Sequence, residues 1–151
     1  MNTQPQSLYE QDFYAWTLDT ADKLRSHELS AIDVEHLMEE IEDMSARQRQ
    51  ALRSRLAVLI MHLLKWGYQP ELRSPSWKKT IKTQRLDISY LFDDSPSLKH
   101  YVDSLLLKAY EKAKVMASKE TGKAEAHFPI ELPYTLEQIL DNEFYPIAAE
   151  E

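Results

Sequence analysis

The sequence predicts an all-α fold: a single domain, an irregular bundle of about six helices with an extended segment before the C-terminal helix. Three observations predict it. Hydroxyl residues repeatedly stand three positions before an acid or amide, the pattern that starts helices. Apolar residues recur at spacings of three and four, and almost nothing alternates with the period of two that a half-buried strand needs. The two glycines of the chain, Gly67 and Gly122, sit where helices should stop.

Taken in order, the predicted helices cover 8–27, 31–44, 46–66, 77–92, 96–121 and 136–142. Ser7 in SLYE, Ser30 in SAID, Ser45 in SARQ and Thr135 in TLEQ supply capping boxes, and SPSL at Ser95 places a proline at a first helical position. The first helix carries the stripe Tyr9, Phe13, Trp16, Thr20 and Leu24; the second carries Val34, Leu37, Ile41 and Met44. The third is apolar nearly all round from Leu56 to Leu64, which marks a helix packed on several sides at the centre of the bundle. Trp77, Ile81, Ile88 and Leu91 form the inner face of the fourth, and Leu98, Val102, Leu105, Ala109, Ala113 and Met116 that of the fifth. The prolines of AEAHFPIELPY make 123–134 an extended connection, and 1–6 and 147–151 are expected to be flexible ends.

Composition excludes several functions. A chain of 151 residues with 43% hydrophobic content suits one core-bearing domain. No run of eighteen apolar residues is present, and MNTQPQSLYEQ has neither a basic segment nor a hydrophobic signal core, so a soluble cytoplasmic protein with no membrane partner is expected. Zero cysteines exclude disulfides, thiolate metal sites and cysteine nucleophiles. Two glycines exclude the phosphate-cradling loops that need several. A serine nucleophile is unsupported, since there is no GxSxG and neither Ser45 nor Ser97 has an evident histidine partner.

The net charge of -7 is unevenly laid out. Residues 28–43 hold seven acids and no Lys or Arg, whereas 44–86 hold ten bases against Glu71 alone. Either the two blocks pair within the fold or the basic one meets an anionic partner.

The run LIMHLLKW places His62 inside the most apolar stretch. Arg55, His62 and Trp66 share one edge of the third predicted helix, and Asp33 and Glu40 share an edge of the second. Antiparallel packing of the two after a turn at Met44 and Ser45 would set these edges face to face. A half-buried histidine and arginine would then be neutralised by carboxylates, or His62, Glu40 and Asp33 would hold a divalent metal or move a proton beside Arg55. His36 also stands four residues before Glu40, an exposed pair. Trp66, Tyr68 and Trp77 interleave with Lys65, Arg73, Lys78, Lys79, Lys82 and Arg85, as single-stranded nucleic acid would require, but Trp66 and Trp77 lie on apolar stripes and core packing is the preferred reading of them. Arg47, Arg49 and Arg53 complete the candidate anion or nucleic-acid contacts, and Arg85 is also a candidate partner for the acidic helix.

The succession LYEQDFYAW, LSAIDVEHLMEEIEDM, LIMHLLKWGYQP, SWKKTI with Arg85, SPSLK, AYEKAK and FPIELPYTLEQILDNEFYP resembles the bacterial family called domain of unknown function 29, over about 8–146. The resemblance implies a small, all-helical, cytoplasmic bacterial protein and brings no catalytic assignment or cofactor with it. Asp33, Glu40, Glu42, His62, Trp66, Trp77 and Arg85 lie in the matching segments. The leading expectation is a binding or interaction module that self-associates or binds a protein partner. The alternatives are a metal-dependent or acid/base enzyme centred on Asp33, Glu40, His62 and Arg55, and nucleic-acid binding through 47–85.

Overall fold

A computed structural model describes residues 6–150. Most of the N-terminus expected to be flexible, 1–5, and Glu151 of the expected tail lie outside the described residues. Among those described there are six α-helices and no strand: α1 (Leu8–Gln11), α2 (Phe13–Arg25), α3 (Val34–Tyr68), α4 (Pro75–Asp94), α5 (Val102–Thr121) and α6 (Leu136–Leu140). The contacts divide the chain into two compact units, Met1–Ala46 and Arg47–Glu151.

In the first unit, Ser7 caps α1 as its pattern predicts, its hydroxyl accepting the Glu10 N–H at 3.4 Å. The helix expected over 8–27 is broken one turn later. Asp12 is extended at φ -151, and its carboxylate accepts the Ala15 N–H at 3.0 Å, which caps α2. A short acidic side chain competes for backbone donors in this way and starts a new helix inside a continuous apolar period. After α2 the chain reverses at His27, whose φ is 56; the His27 N–H reaches Leu24 O and the Glu28 N–H reaches Lys23 O. These paired bonds form a Schellman stop with histidine where glycine is usual. Ser30 sits inside a short 3₁₀ turn, Leu29–Ala31, and caps nothing; the Asp33 carboxylate instead accepts the His36 N–H at 3.3 Å at the start of α3. Only Trp16 and Thr20 are buried in this unit among the described residues.

The helices expected over 31–44 and 46–66 are one helix, α3, of 35 residues. Ser45 lies in its interior, with its hydroxyl donating to Ile41 O at 3.4 Å. A capping box marks a start only where the chain also has a reason to stop. No glycine or proline interrupts 34–66. A mid-helix serine costs about 0.5 kcal/mol, while each propagated residue adds a hydrogen bond.

In the second unit the C-terminal part of α3 is the centre, as expected: Leu52, Leu56, Leu59, Ile60, Leu63 and Leu64 are fully buried. Ile81 and Ile88 of α4 close on this cluster, as do Val102, Ala109, Tyr110 and Ala113 of α5, then Phe128 and Ile139. Helix α4 begins at Pro75, two residues before the expected start, because Ser74 accepts the Trp77 N–H at 3.3 Å. Helix α5 begins later than expected, after a 3₁₀ segment Pro96–His100, and ends at Gly122 with φ 72. Residues 123–134 contain only a 3₁₀ turn, Glu125–His127, and are held where Tyr110 donates to Pro129 O at 2.5 Å and Tyr134 to Leu63 O at 3.4 Å. Thr135 and Gln138 form the capping box of α6. Gly67 lies within α3 and is buried; the Ala149 N–H donates to its carbonyl at 2.8 Å. No helix among the described residues is long and apolar enough to cross a membrane.

Candidate functional site

The continuity of α3 dissolves the constellation read around His62. Glu40 and His62 belong to one helix, 22 residues apart in sequence, and not to two helices joined by a turn. Asp33 lies at the N-terminal start of that helix. Each member has a separate local partner. His62 Nδ1 donates to Val58 O, one turn back, at 2.9 Å. Burial, and after it the charge of Lys65, holds its pKa below the ordinary value against the opposing pull of that carbonyl. Arg55 pairs across to Asp87 of α4 at 2.8 Å, not with the acids of α3. No group of three or more His, Asp or Glu among the described residues is placed to hold a metal ion.

Asp33, His36 and Glu40 belong to a different assembly, inside the first unit. Asp33 bonds both the backbone and Nδ1 of His36. This bond is the main cause that raises the His36 pKa and lowers that of Asp33. The Tyr9 ring stacks on the His36 ring at 4.0 Å, and its hydroxyl donates to Glu40 at 2.5 Å. That bond pushes the Tyr9 pKa up to about 12. Trp16 and Phe13 meet the Tyr9 ring edge-on at 4.9 and 5.7 Å. The pair His36 and Glu40, expected to be exposed, is half-buried and is the footing on which α1 rests. Tyr9 was legible only as one apolar residue of a stripe, since its hydroxyl partner is 31 residues away.

The basic residues have several different environments. Arg73 donates to Trp66 O at 2.9 Å and lies over the Trp66 ring at 5.0 Å. Lys65 is buried, paired with Glu120 and placed over the Trp77 ring at 4.4 Å. Of the interleaved bases, Lys65 and Arg73 thus pack as cations on the tryptophan rings. Arg85 is not a partner of the acidic helix. It is buried against the C-terminal end of α6, where Nε donates to Ile139 O at 2.8 Å, and Nη2 to Phe144 O at 2.8 Å and Gln138 O at 3.4 Å. Desolvation lowers its pKa. Lys78 and Lys82 are exposed on the same side of α4 and, with Arg85, line a cleft of about 430 Å³. Arg47, Arg49, Arg53 and Lys79 make no ion pair among the described residues, although Arg49 lies 5.9 Å over the Tyr101 ring.

Helix α3 also carries an exposed apolar surface, in which Val34, Ile41 and Met44 of the expected inner face are joined by Met38, while Leu37 of that face is half-buried. Val34, Met38, Ile41 and Met44 are 54, 51, 55 and 60% exposed. Beside this stripe Glu35, Glu39 and Glu42 follow one another at i, i+4 and i+7 on one flank, and further along the same helix come Arg47, Arg49 and Arg53. The acidic and basic blocks are consecutive on α3.

These features define an all-helical protein with an amphipathic, charge-divided long helix. The chain belongs to the family described as Domain of unknown function DUF29, whose model matches residues 8–145. No curated protein and no solved structure matches it.

Proposed function

We propose that the protein is a self-associating interaction module whose contact is α3 against α3 of a second copy, antiparallel. The observation that carries this reading is the reversal of charge along one uninterrupted helix beside an exposed apolar stripe. A two-fold axis brings each flank of the helix against the same flank of its partner. With the axis near Met44 and Ser45, Glu39 and Glu35 of one copy oppose Arg49 and Arg53 of the other, which share their flank, while Arg47 lies about a third of a turn away. Parallel pairing would set acid against acid and base against base, which is unfavourable. The stripe Val34, Met38, Ile41 and Met44 supplies the apolar area, and the charges fix register and direction.

Sedimentation equilibrium over a range of concentrations tests it with two charge-reversed variants. One carries Glu35→Lys, Glu39→Lys and Glu42→Lys; the other carries Arg47→Glu, Arg49→Glu and Arg53→Glu. Each alone is expected to sediment as a monomer, the native chain as a dimer weakened by salt, and an equimolar mixture of the variants as a heterodimer. A native chain that stays monomeric throughout, or variants that each dimerise as the native does, would overturn the proposal.

A further inference from the structure

We infer that the cleft between α4 and the segment after α6 binds a phosphate group carried by a small organic molecule. The cleft is lined by Lys78, Lys82 and Arg85, with Ser89, Asn142, Glu143 and Tyr145 among the other walls. Arg85 is only 4% exposed, and all its protein hydrogen-bond partners are neutral backbone carbonyls. Its Nη1 is buried without any partner. Buried guanidinium groups are ordinarily matched by a carboxylate, because an uncompensated charge away from water is costly. Here none is: neither Asp141 nor Glu143 comes within ion-pair distance of it among the described residues.

The two lysines deepen the imbalance. They stand at i and i+4 on one helix, a spacing at which like charges repel, and neither has an acidic partner among the described residues. Lys78 instead lies 5.6 Å from the centre of the Tyr145 ring, which Arg85 approaches at 5.5 Å from the same cleft. Three cations thus converge on a space with one carboxylate, Glu143, in its lining. A dianion answers that surplus, whereas a monocarboxylate leaves part of it unmet. The side-chain amide of Asn142 offers hydrogen bonds of the kind a phosphate accepts, and the Tyr145 ring offers a flat wall for the organic body. This site is independent of the α3 pairing and shares no residue with it.

The test is a ¹H–¹⁵N NMR titration of the whole chain at low ionic strength. Inorganic phosphate is added first, then a nucleoside monophosphate, then a short single-stranded oligonucleotide, each against chloride at matched ionic strength. Saturable shifts are expected at amides of 78–89 and 140–145. Affinity should fall about tenfold or more in the variant with Lys78→Ala and Lys82→Ala, and stay native in a control with Lys108→Ala and Lys112→Ala, which has the same spacing on α5. Both pairs are exposed, so spectral dispersion should remain native in each. Tighter binding of the monophosphate than of inorganic phosphate supports the small-molecule source. An oligonucleotide that binds more tightly still, and whose affinity the double variant does not lower selectively, overturns that source. Absence of saturation, an equal response to chloride, or native affinity in the Lys78 and Lys82 variant overturns the site itself.

Discussion

His36 sits between a carboxylate that favours its charged form and a flat tyrosine ring that packs on it. Its folded-state pKa is raised above 6.5 by Asp33. The stabilisation is therefore complete below pH 6.5 and is lost as pH rises through the folded-state value. Asp33, whose pKa is lowered below 3.8, adds stability above that pH and loses it as pH falls through the depressed value. His62 acts in the opposite sense. Its pKa is lowered by burial, so it costs stability as pH falls below 6.5 and ceases to do so on the alkaline side. The two histidines partly cancel in the native chain, and the difference between the native chain and His36→Asn isolates the Asp33 pair. The thermal midpoint of the native protein should lie further above that of His36→Asn at pH 6 than at pH 8.5; a constant gap would show that the ring only packs.

The ends of the helices differ in how well their residues suit their backbone. His27 holds the left-handed conformation at φ 56, and Gly122 holds it at φ 72. The first is strained and the second is not. His27→Gly is expected to raise stability by about 1 kcal/mol and Gly122→Ala to lower it by about the same amount. Urea denaturation curves should move in opposite directions for the two variants. At Gly122 an added Cβ meets nothing within 4 Å, so its cost is one of conformation alone. The same elements show what the sequence could disclose. Ser7 and Thr135 start helices as their capping boxes predict, and the apolar faces of α4 and α5 were legible because their neighbours bury them. Ser30 and Ser45 carry the same pattern and start none, since a cap works only where propagation has already failed. Ser74 followed by Pro75 repeats the signature of Ser95 and Pro96, and was a readable start. The surroundings of Arg85 had no such signature. Its partners are backbone carbonyls more than fifty residues away, and a carbonyl is present at every position.

Among the described residues, burial is concentrated in 47–150, while 6–46 contain ten of the eighteen exposed large apolar side chains. Two substitutions on α3 measure that contrast. Leu59→Ala, at a fully buried position, should cost about 2–5 kcal/mol, and Met38→Ala, half exposed, less than about 0.5 kcal/mol at concentrations where the chain is monomeric. Equal costs from denaturant titration would mean that Met38 is packed in solution. The anchors that close residues 47–151 also bear on the order of folding. Arg85 waits for carbonyls at 138–144, Lys65 for Glu120, and the Gly67 carbonyl for the N–H of Ala149. Contacts so distant along the chain form slowly, and on the ribosome each must wait until its distal partner at 120, 138–144 or 149 has emerged. Until then α4 carries a charged side chain toward an unfinished interior. The N-terminal helices, whose bonds span at most 31 residues, have all their partners at hand much earlier. Synthesis therefore presents the first unit of the chain to its surroundings well before the second can close.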